Sequence, residues 1–400
     1  MGTTPRPVVT ATPAFATNDP RLPTIEPHKS LTHDEEQHLF ATIWSLIDER
    51  YLYADYRGVD WDAIRQHYDP QRITYRNDAD FYQHMVEMVE QLNDNHSRFA
   101  PPEMARVEDQ LSNGHEEQVG IGVVTIPVAD GAMIETVFPN GPSAAAGLRP
   151  RDRIVAVDGQ PYYGGPALEG PAGTDVQLRI KRPNEGGFNL TLIRRKSEAQ
   201  IGPELHQLPG EIAYLRVSTL WIHDTGTHVS EILTDALIDH PPRGIILDLR
   251  HNPGGWRSVL TDLLSYFVRD EVGSFFDQQQ VNSLSIKPNG GPDLRGMPLV
   301  VLIDQDTASY AEVLAGILQS EAHATVVGTP SAGNTETIYA YDLEHGARLW
   351  VAQEGFRLRN GVNFEGRGVQ PDIVINKDWT RFREEDDPML QAALQLLGVQ

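Results

Sequence analysis

Apolar positions in the first hundred residues recur at a helical spacing. In "DEEQHLFATIWSLIDERYLY" (34–53), Leu39, Ile43, Leu46, Ile47 and Tyr51 fall close to one face, which predicts an amphipathic helix. Thr32 or Asp34 can cap it. In "DADFYQHMVEMVEQL" (78–92), Phe81, Met85, Met88, Val89 and Leu92 make a second such stripe, with Asp78 or Asp80 as the expected cap. The pattern stops at "NDNHSRFAPPE", where Pro101 and Pro102 forbid its continuation. A helical region over 31–110 follows from this.

From Glu117 the period shortens to two. "QVGIGVVTIPV", "GAMIETVF", "TDVQLRIKR" and "FNLTLIRRK" read as strands, with Gly and Pro at every junction. They predict a small β-rich unit over 117–197. Beyond it the pattern changes again. "GEIAYLRVSTL", "RGIILDLR", "PLVVLIDQ" and "ATVVGT" are apolar strand-like runs, and helical stretches such as "THVSEILTDALI" and "VLTDLLSYFV" separate them. Apolar strands alternating with helices predict an α/β unit with a largely parallel sheet over 198–378. A C-terminal helix or tail is expected over 379–400.

Charge and composition narrow the function. The 400-residue chain has 33 basic and 56 acidic residues, a formal net charge of -23. That balance argues against nucleic acid as a partner, because phosphate binding needs clustered Lys and Arg. Cysteine is absent, which excludes disulfides and thiolate chemistry. No HExxH and no Cys/His cluster occurs, so neither metal nor cofactor is expected. No apolar run reaches the roughly 18 residues of a membrane span. The first 30 residues, rich in Pro, Thr and Ala, lack a basic segment followed by an apolar one. They read as a flexible leader. An extracytoplasmic location, with a signal peptide already removed, is the expectation.

Chemistry enters at two turns. "PLVVLI" runs into "DQDTASYAEVLAGILQ", a strand, a tight polar turn and a helix with Ser309 at the junction. A serine there caps a helix, or stands as a nucleophile beside unsatisfied amides at the positive end of the helix dipole. The N–H of Tyr310 would be one oxyanion donor. In "IILDLRHNPGGW" a buried strand ends in Gly254 and Gly255. Paired glycines allow close backbone approach and supply further donors. Both turns follow strands of the same unit, where open α/β sheets place their ligands. The alternative for "NPGG" is a plain turn, for which that sequence is common.

The four stretches "RGIILDLRHNPGG", "VLIDQDTASYAEVLAGILQ", "VVGTPSAGN" and "FEGRGVQPDIVI", in this order, resemble the tail-specific, or carboxyl-terminal processing, serine protease superfamily. "VFPNGPSAAAGLRPRDRIVAVDGQPY" resembles the PDZ domain that many of these proteases carry. "LFATIWSLIDERYLYADYRGVDW" and "LNDNHSRFAPPE" resemble their N-terminal helical region. The resemblance spans 32–377. It implies an α/β fold with a ClpP/crotonase-like catalytic core, an inserted PDZ β-domain and an N-terminal helical region. It implies peptide-bond hydrolysis through an acyl-enzyme, with Ser309 as nucleophile and polypeptides as substrates.

The resemblance also divides. Processing proteases proper place a lysine base where this chain has Asn334, and none of Lys29, Lys181, Lys196, Lys287 and Lys377 lies in that segment. The tricorn-like branch uses a histidine with a carboxylate behind it. The match is His96 in "NDNHS" and Glu365 in "NFEGRGVQPD", with Asp372 the rival carboxylate. The implied triad is therefore Ser309, His96 and Glu365. A neutral imidazole takes the serine proton, and a carboxylate fixes its tautomer. Ser97 and Asn334 are candidates for hydrogen bonds within the site, and His251, beside the expected oxyanion turn, is read as supporting it from behind or as incidental. In the PDZ-like unit, Val119, Gly120, Ile121 and Gly122 are expected to catch a peptide terminus. Two other functions share these features: a non-catalytic peptide- or lipid-binding protein on the same fold, and an esterase or amidase for small substrates.

Overall fold

The computed structural model describes residues 30–94, 96–111, 115–239 and 241–399. The expected leader lies outside them. Two compact units form. One contains His115–Gln200 with Asp378–Asp386, and the other contains Lys29–Gly114, Ile201–Lys377 and Asp387–Gln400.

The larger unit is built on a sheet whose strands follow chain order. Glu204–Leu208 runs antiparallel to Ile212–Arg216. Gly244–Asp248, Leu299–Ile303, Thr325–Gly328 and Ile373–Val374 then add in parallel. Gly244–Asp248 and Leu299–Ile303 are buried at every position, as expected of a parallel sheet covered on both faces. Helices Thr225–Asp239, Arg257–Phe267 and Tyr310–Glu321 join the strands. Their apolar faces share one core with the sheet, including Leu247, Val301, Leu263, Val313 and Leu314.

A second, antiparallel sheet completes this unit. Its long strand Arg348–Leu358 pairs with Thr337–Asp342, with Asp270–Phe276 and with the short strand Arg98–Ala100. The helices His33–Arg50 and Asp78–Glu90 bury Leu39, Ile43, Ile47, Phe81, Met85 and Met88 against Leu349, Val351 and Ala352 of that strand. Thr32 caps the first helix in a capping box with Glu35. Asn77 caps the second, in place of the expected Asp78 or Asp80. Asp78 instead accepts the Leu31 amide, and Asp80 binds Arg76. Pro102 does more than stop a helix. It opens a new one, Pro102–Leu111, at the position where a missing N–H costs nothing.

A buried ion network braces the end of the strand Gly244–Asp248. Arg250 grips Asp248 with two bonds of 2.9 and 2.6 Å and reaches Asp387 at 2.7 Å. Tyr214 adds its hydroxyl to Asp248 at 2.6 Å. Burial alone would raise the Asp248 pKa, yet Arg250 holds it well below the usual carboxylate range. The network ties the turn beyond Arg250 to the C-terminal helix Pro388–Leu396.

The smaller unit is antiparallel. Val123–Val128, Gly131–Val137, Arg153–Val157, Asp175–Arg182 and Gly186–Ile193 form one sheet over a core of Ile121, Ile134, Ile154, Val176 and Ile180. His115–Gly120 pairs with Arg195–Gln200, so the chain enters and leaves side by side. Within the same unit, the buried Arg153 binds Thr380 at 2.8 Å. Val119 and Gly120 lie in the entry strand, while Ile121 is core and Gly122 turns the chain with φ 74. Among the described residues no helix is long and apolar enough to cross a membrane.

Candidate active site

The strand Leu299–Ile303 delivers a rigid turn. The Thr307 hydroxyl donates to the Leu249 carbonyl at 2.8 Å, and the Ala308 amide donates to the Asn252 carbonyl at 2.9 Å. The two turns singled out in the sequence are thus stitched together. Ser309 follows, with φ 55 and ψ -130. A non-glycine residue pays for that backbone with about 1–3 kcal/mol of strain, and such strain collects at functional sites.

The "NPGG" turn packs on this serine. A side chain on Gly254 would lie 2.6 Å from Ser309 Cβ and 2.9 Å from the Tyr310 nitrogen. Gly254 itself has φ 84, so strain and collision both demand glycine. The expected role of Gly254 as an oxyanion donor does not hold, because its amide donates to Asn252 Oδ1 at 2.8 Å. Leu220 bridges the turn through the Gly254 carbonyl and the Trp256 amide, leaving the Gly255 amide outside that pairing. Tyr310, the first residue of its helix, has one of the amides that find no partner inside the helix. The amides of Tyr310 and Gly255 are thus left as the candidate donors beside the serine. Gly254→Ala is expected to reduce turnover by about 10²-fold or more, the loss typical of a damaged oxyanion site. Steady-state kinetics with a melting curve would check it.

Glu312, fully buried one turn into the helix, organises the next element. Its carboxylate accepts the Ser309 amide at 3.0 Å, the Ser331 hydroxyl at 2.6 Å, the Gly333 amide at 2.7 Å and the Asn334 amide at 2.8 Å. Burial raises its pKa, and these donors pull it back. The Asn334 carbonyl in turn accepts the Ser309 amide at 2.8 Å. Segment 331–336 is thereby fixed against the serine.

His96 reaches the same segment from the N-terminal helices. Asp94 accepts the amides of His96 and Ser97 and the Ser97 hydroxyl. Ser97 then takes the Ala352 amide at 3.1 Å, just before Arg98–Ala100 joins the sheet. The imidazole is buried, with the Asn334 side chain beside it. Burial pulls its pKa down to about 4, with Arg57 and Arg98 adding to this and Asp94 opposing it. It is therefore neutral at physiological pH and able to accept a proton.

Two carboxylates stand beside it. Ligand atoms of His96, Glu336 and Glu365 all lie within 4.8 Å of one another. Glu336 is the nearer, its Oε2 lying 3.4 Å from His96 Nε2. Glu365 accepts the Thr335 amide at 2.7 Å and the Thr335 hydroxyl at 3.2 Å. Burial raises the pKa of both, that of Glu336 to about 7. The rival Asp372 is elsewhere, accepting the Val326 amide at 2.8 Å between two strands. Sequence reasoning missed Glu336, Glu312 and Asp94. The "SYAE" spacing of a capping box could have revealed Glu312; nothing marks Glu336.

His251 bridges Asp304 at 2.6 Å and Asp306 at 3.4 Å. Either this trio or the one around His96 has donors a divalent ion accepts. Imidazole with carboxylate is equally the donor set of proton transfer, so proximity assigns no metal.

A serine on a strained elbow with amides beside it, and a buried imidazole flanked by carboxylates, make up the candidate site. Residues 211–375 match the model for peptidase family S41, 32–90 the tricorn protease C1 domain, and 133–182 a PDZ domain. The S41 match covers the α/β core and the segments that carry Ser309 and Glu365. It is 28% identical over 383 residues to a carboxyl-terminal-processing protease of Synechocystis sp., covering 92% of this chain and 88% of that one. A protein of the same name from Picosynechococcus sp. is 26% identical over 381 residues, covering 92% and 91%. Among solved structures, the photosystem II D1 C-terminal processing protease superposes with a TM-score of 0.60 at 25% identity, covering 87% of this chain and 95% of that one. The chain is thus a PDZ-bearing serine protease similar to carboxyl-terminal-processing proteases, and its substrates are polypeptides.

Proposed function

We propose that this protease is an endopeptidase that cuts near the carboxyl terminus of polypeptides through an acyl-enzyme on Ser309. His96 is its general base, and Glu365 belongs to the carboxylate group behind the base. The observation that supports this reading most strongly is the strained Ser309 backbone, packed under Gly254 and followed by the Tyr310 amide. A helix cap needs no such strain, because capping serines ordinarily have extended backbone. Attack by Oγ on the scissile carbonyl would place the new oxyanion at the Tyr310 and Gly255 amides. The proton would pass to His96 and then to the leaving amine. The PDZ unit selects substrates by strand addition, catching the terminal carboxylate near Val119–Gly122. An extracytoplasmic setting goes with this reading.

A fluorophosphonate probe followed by peptide mapping tests the nucleophile. Ser309 is expected to carry the label. An unlabelled, folded protein would instead favour a non-catalytic binding role. Cleavage of one unfolded polypeptide with a free or an amidated C-terminus tests the recognition step. Amidation is expected to raise KM by about tenfold, the loss of one charge-assisted contact set. Equal KM values would leave the PDZ unit without a part in terminus recognition. Rapid turnover of small esters with no cleavage of polypeptides would return the small-substrate hydrolase.

A further inference from the structure

The stretch "NTETI" (334–338) carries a carboxylate that the implied triad does not use. Glu336 is 1% exposed. Its Oε1 accepts the Tyr53 hydroxyl in a short hydrogen bond. Among the described residues its Oε2 has no hydrogen-bond partner, and neither has His96 Nε2, the atom 3.4 Å away. Two buried polar atoms left unpaired each carry the full cost of desolvation. A proton shared between them removes both costs. Glu365, by contrast, has its Oε2 occupied by the Thr335 amide and hydroxyl.

We propose that Glu336 is the positioning carboxylate of this protease, orienting the His96 imidazole through Nε2 and stabilising its charged form. Tyr53 holds the carboxylate from its far side, and Glu365 bears on the pair electrostatically. The inference rests on the reading of Ser309 and His96 given above. A triad needs the two ring nitrogens to face opposite partners. With Nε2 turned to Glu336, Nδ1 is the atom that serves Ser309. During acylation Nδ1 takes the hydroxyl proton as Oγ bonds to the carbonyl carbon and the carbonyl electron pair moves to oxygen. The ionised Glu336 holds the Nε2–H of the imidazolium. Collapse of the tetrahedral adduct returns the electron pair, breaks the C–N bond, and passes the Nδ1 proton to the leaving amine.

Several charged or titratable groups face this pair. They are Tyr51, Tyr53 and Arg57 from the segment after the first helix, Asp94 and Arg98 around His96, and Glu365. Burial, Glu365 and Asp94 push the Glu336 pKa up to about 7, against Tyr53 and Arg57. The carboxylate must be ionised to hold an imidazolium. Activity should therefore rise with pH through the neutral range.

The experiment compares wild type with Glu336→Gln, Glu336→Asp, Glu365→Gln and Tyr53→Phe on one polypeptide substrate. Glu336→Gln is expected to lower kcat by about 10²–10⁴-fold with little change in KM. The neutral limb of its kcat/KM profile should disappear, and Glu336→Asp should recover part of the loss. Glu365→Gln should lose less and keep the limb. Tyr53→Phe removes a bond that lowers the Glu336 pKa, so it should move the limb to higher pH. That variant decides the matter if Glu336→Gln does not fold. A Glu336→Gln enzyme with wild-type kcat and limb overturns the proposal, as does a Tyr53→Phe limb that stays in place. Loss of kcat and limb in Glu365→Gln alone hands the role to Glu365. Absence of fluorophosphonate labelling in the wild type would strike the underlying reading instead.

Discussion

His96→Ala is expected to lower kcat by about 10⁴-fold while the protein keeps its fold, because members of a triad act as a unit. The imidazole is buried among Asp94, Asn334 and Glu336, and among the described groups around it no second imidazole or amine stands in for it. Asn334 stands where processing proteases proper place a lysine. Its amide donates to Glu312 and its carbonyl accepts from Ser309. Both are backbone bonds, so the position holds the serine turn and contributes no basic group. Alanine at 96 removes the base without removing the anchor, since Asp94 bonds the amides of 96 and 97 regardless of the side chain. Near-normal kcat in a folded His96→Ala protein would exclude histidine as the base. The same variant should also label slowly with a fluorophosphonate, because labelling needs the activated hydroxyl.

The fold could be read where burial imposes a period. The runs "GIILD" and "LVVLI" are buried at every position and announce parallel strands. The stripe of Phe81, Met85, Met88 and Val89 announces a helix face. Resemblance supplied what periodicity could not, the PDZ unit and the kind of catalytic core. Less legible was anything decided by which of several similar groups wins a bond. Asn77 takes the cap because Asp78 and Asp80 are drawn to Leu31 and Arg76. Gly254 loses its donor role because Asn252, two residues earlier, takes its amide. Glu336 falls on a strand-like stretch with no pattern of its own. Only the pairing of Thr337–Asp342 with the long strand Arg348–Leu358, which also holds Arg98–Ala100, brings it beside His96. Contacts made across 240 residues of chain, from 96 to 336, leave no local mark.

Ser309→Gly and Ser309→Ala are expected to abolish turnover alike, with residual activity about 10⁴-fold or more below wild type. They should part company in stability. The wild-type serine holds φ 55, a backbone that glycine enters without a Cβ penalty and alanine does not. Glycine also enlarges the freedom of the unfolded chain, which offsets about 1 kcal/mol of the relief. Its absent Cβ relaxes the contact with Gly254 as well, where the two residues pack too closely to admit another carbon. The folded-state gain of about 1–3 kcal/mol therefore leaves glycine the more stable variant at this position by up to about 2 kcal/mol. Alanine keeps the strain and should melt near the wild type. Thermal or denaturant unfolding of the three proteins reads the difference directly. Strain kept at a residue that a helix cap would not need is the mark of a position held for chemistry at the expense of stability. If alanine and glycine melt together at the wild-type midpoint, the elbow is not strained. Fluorophosphonate labelling alone would then separate nucleophile from cap.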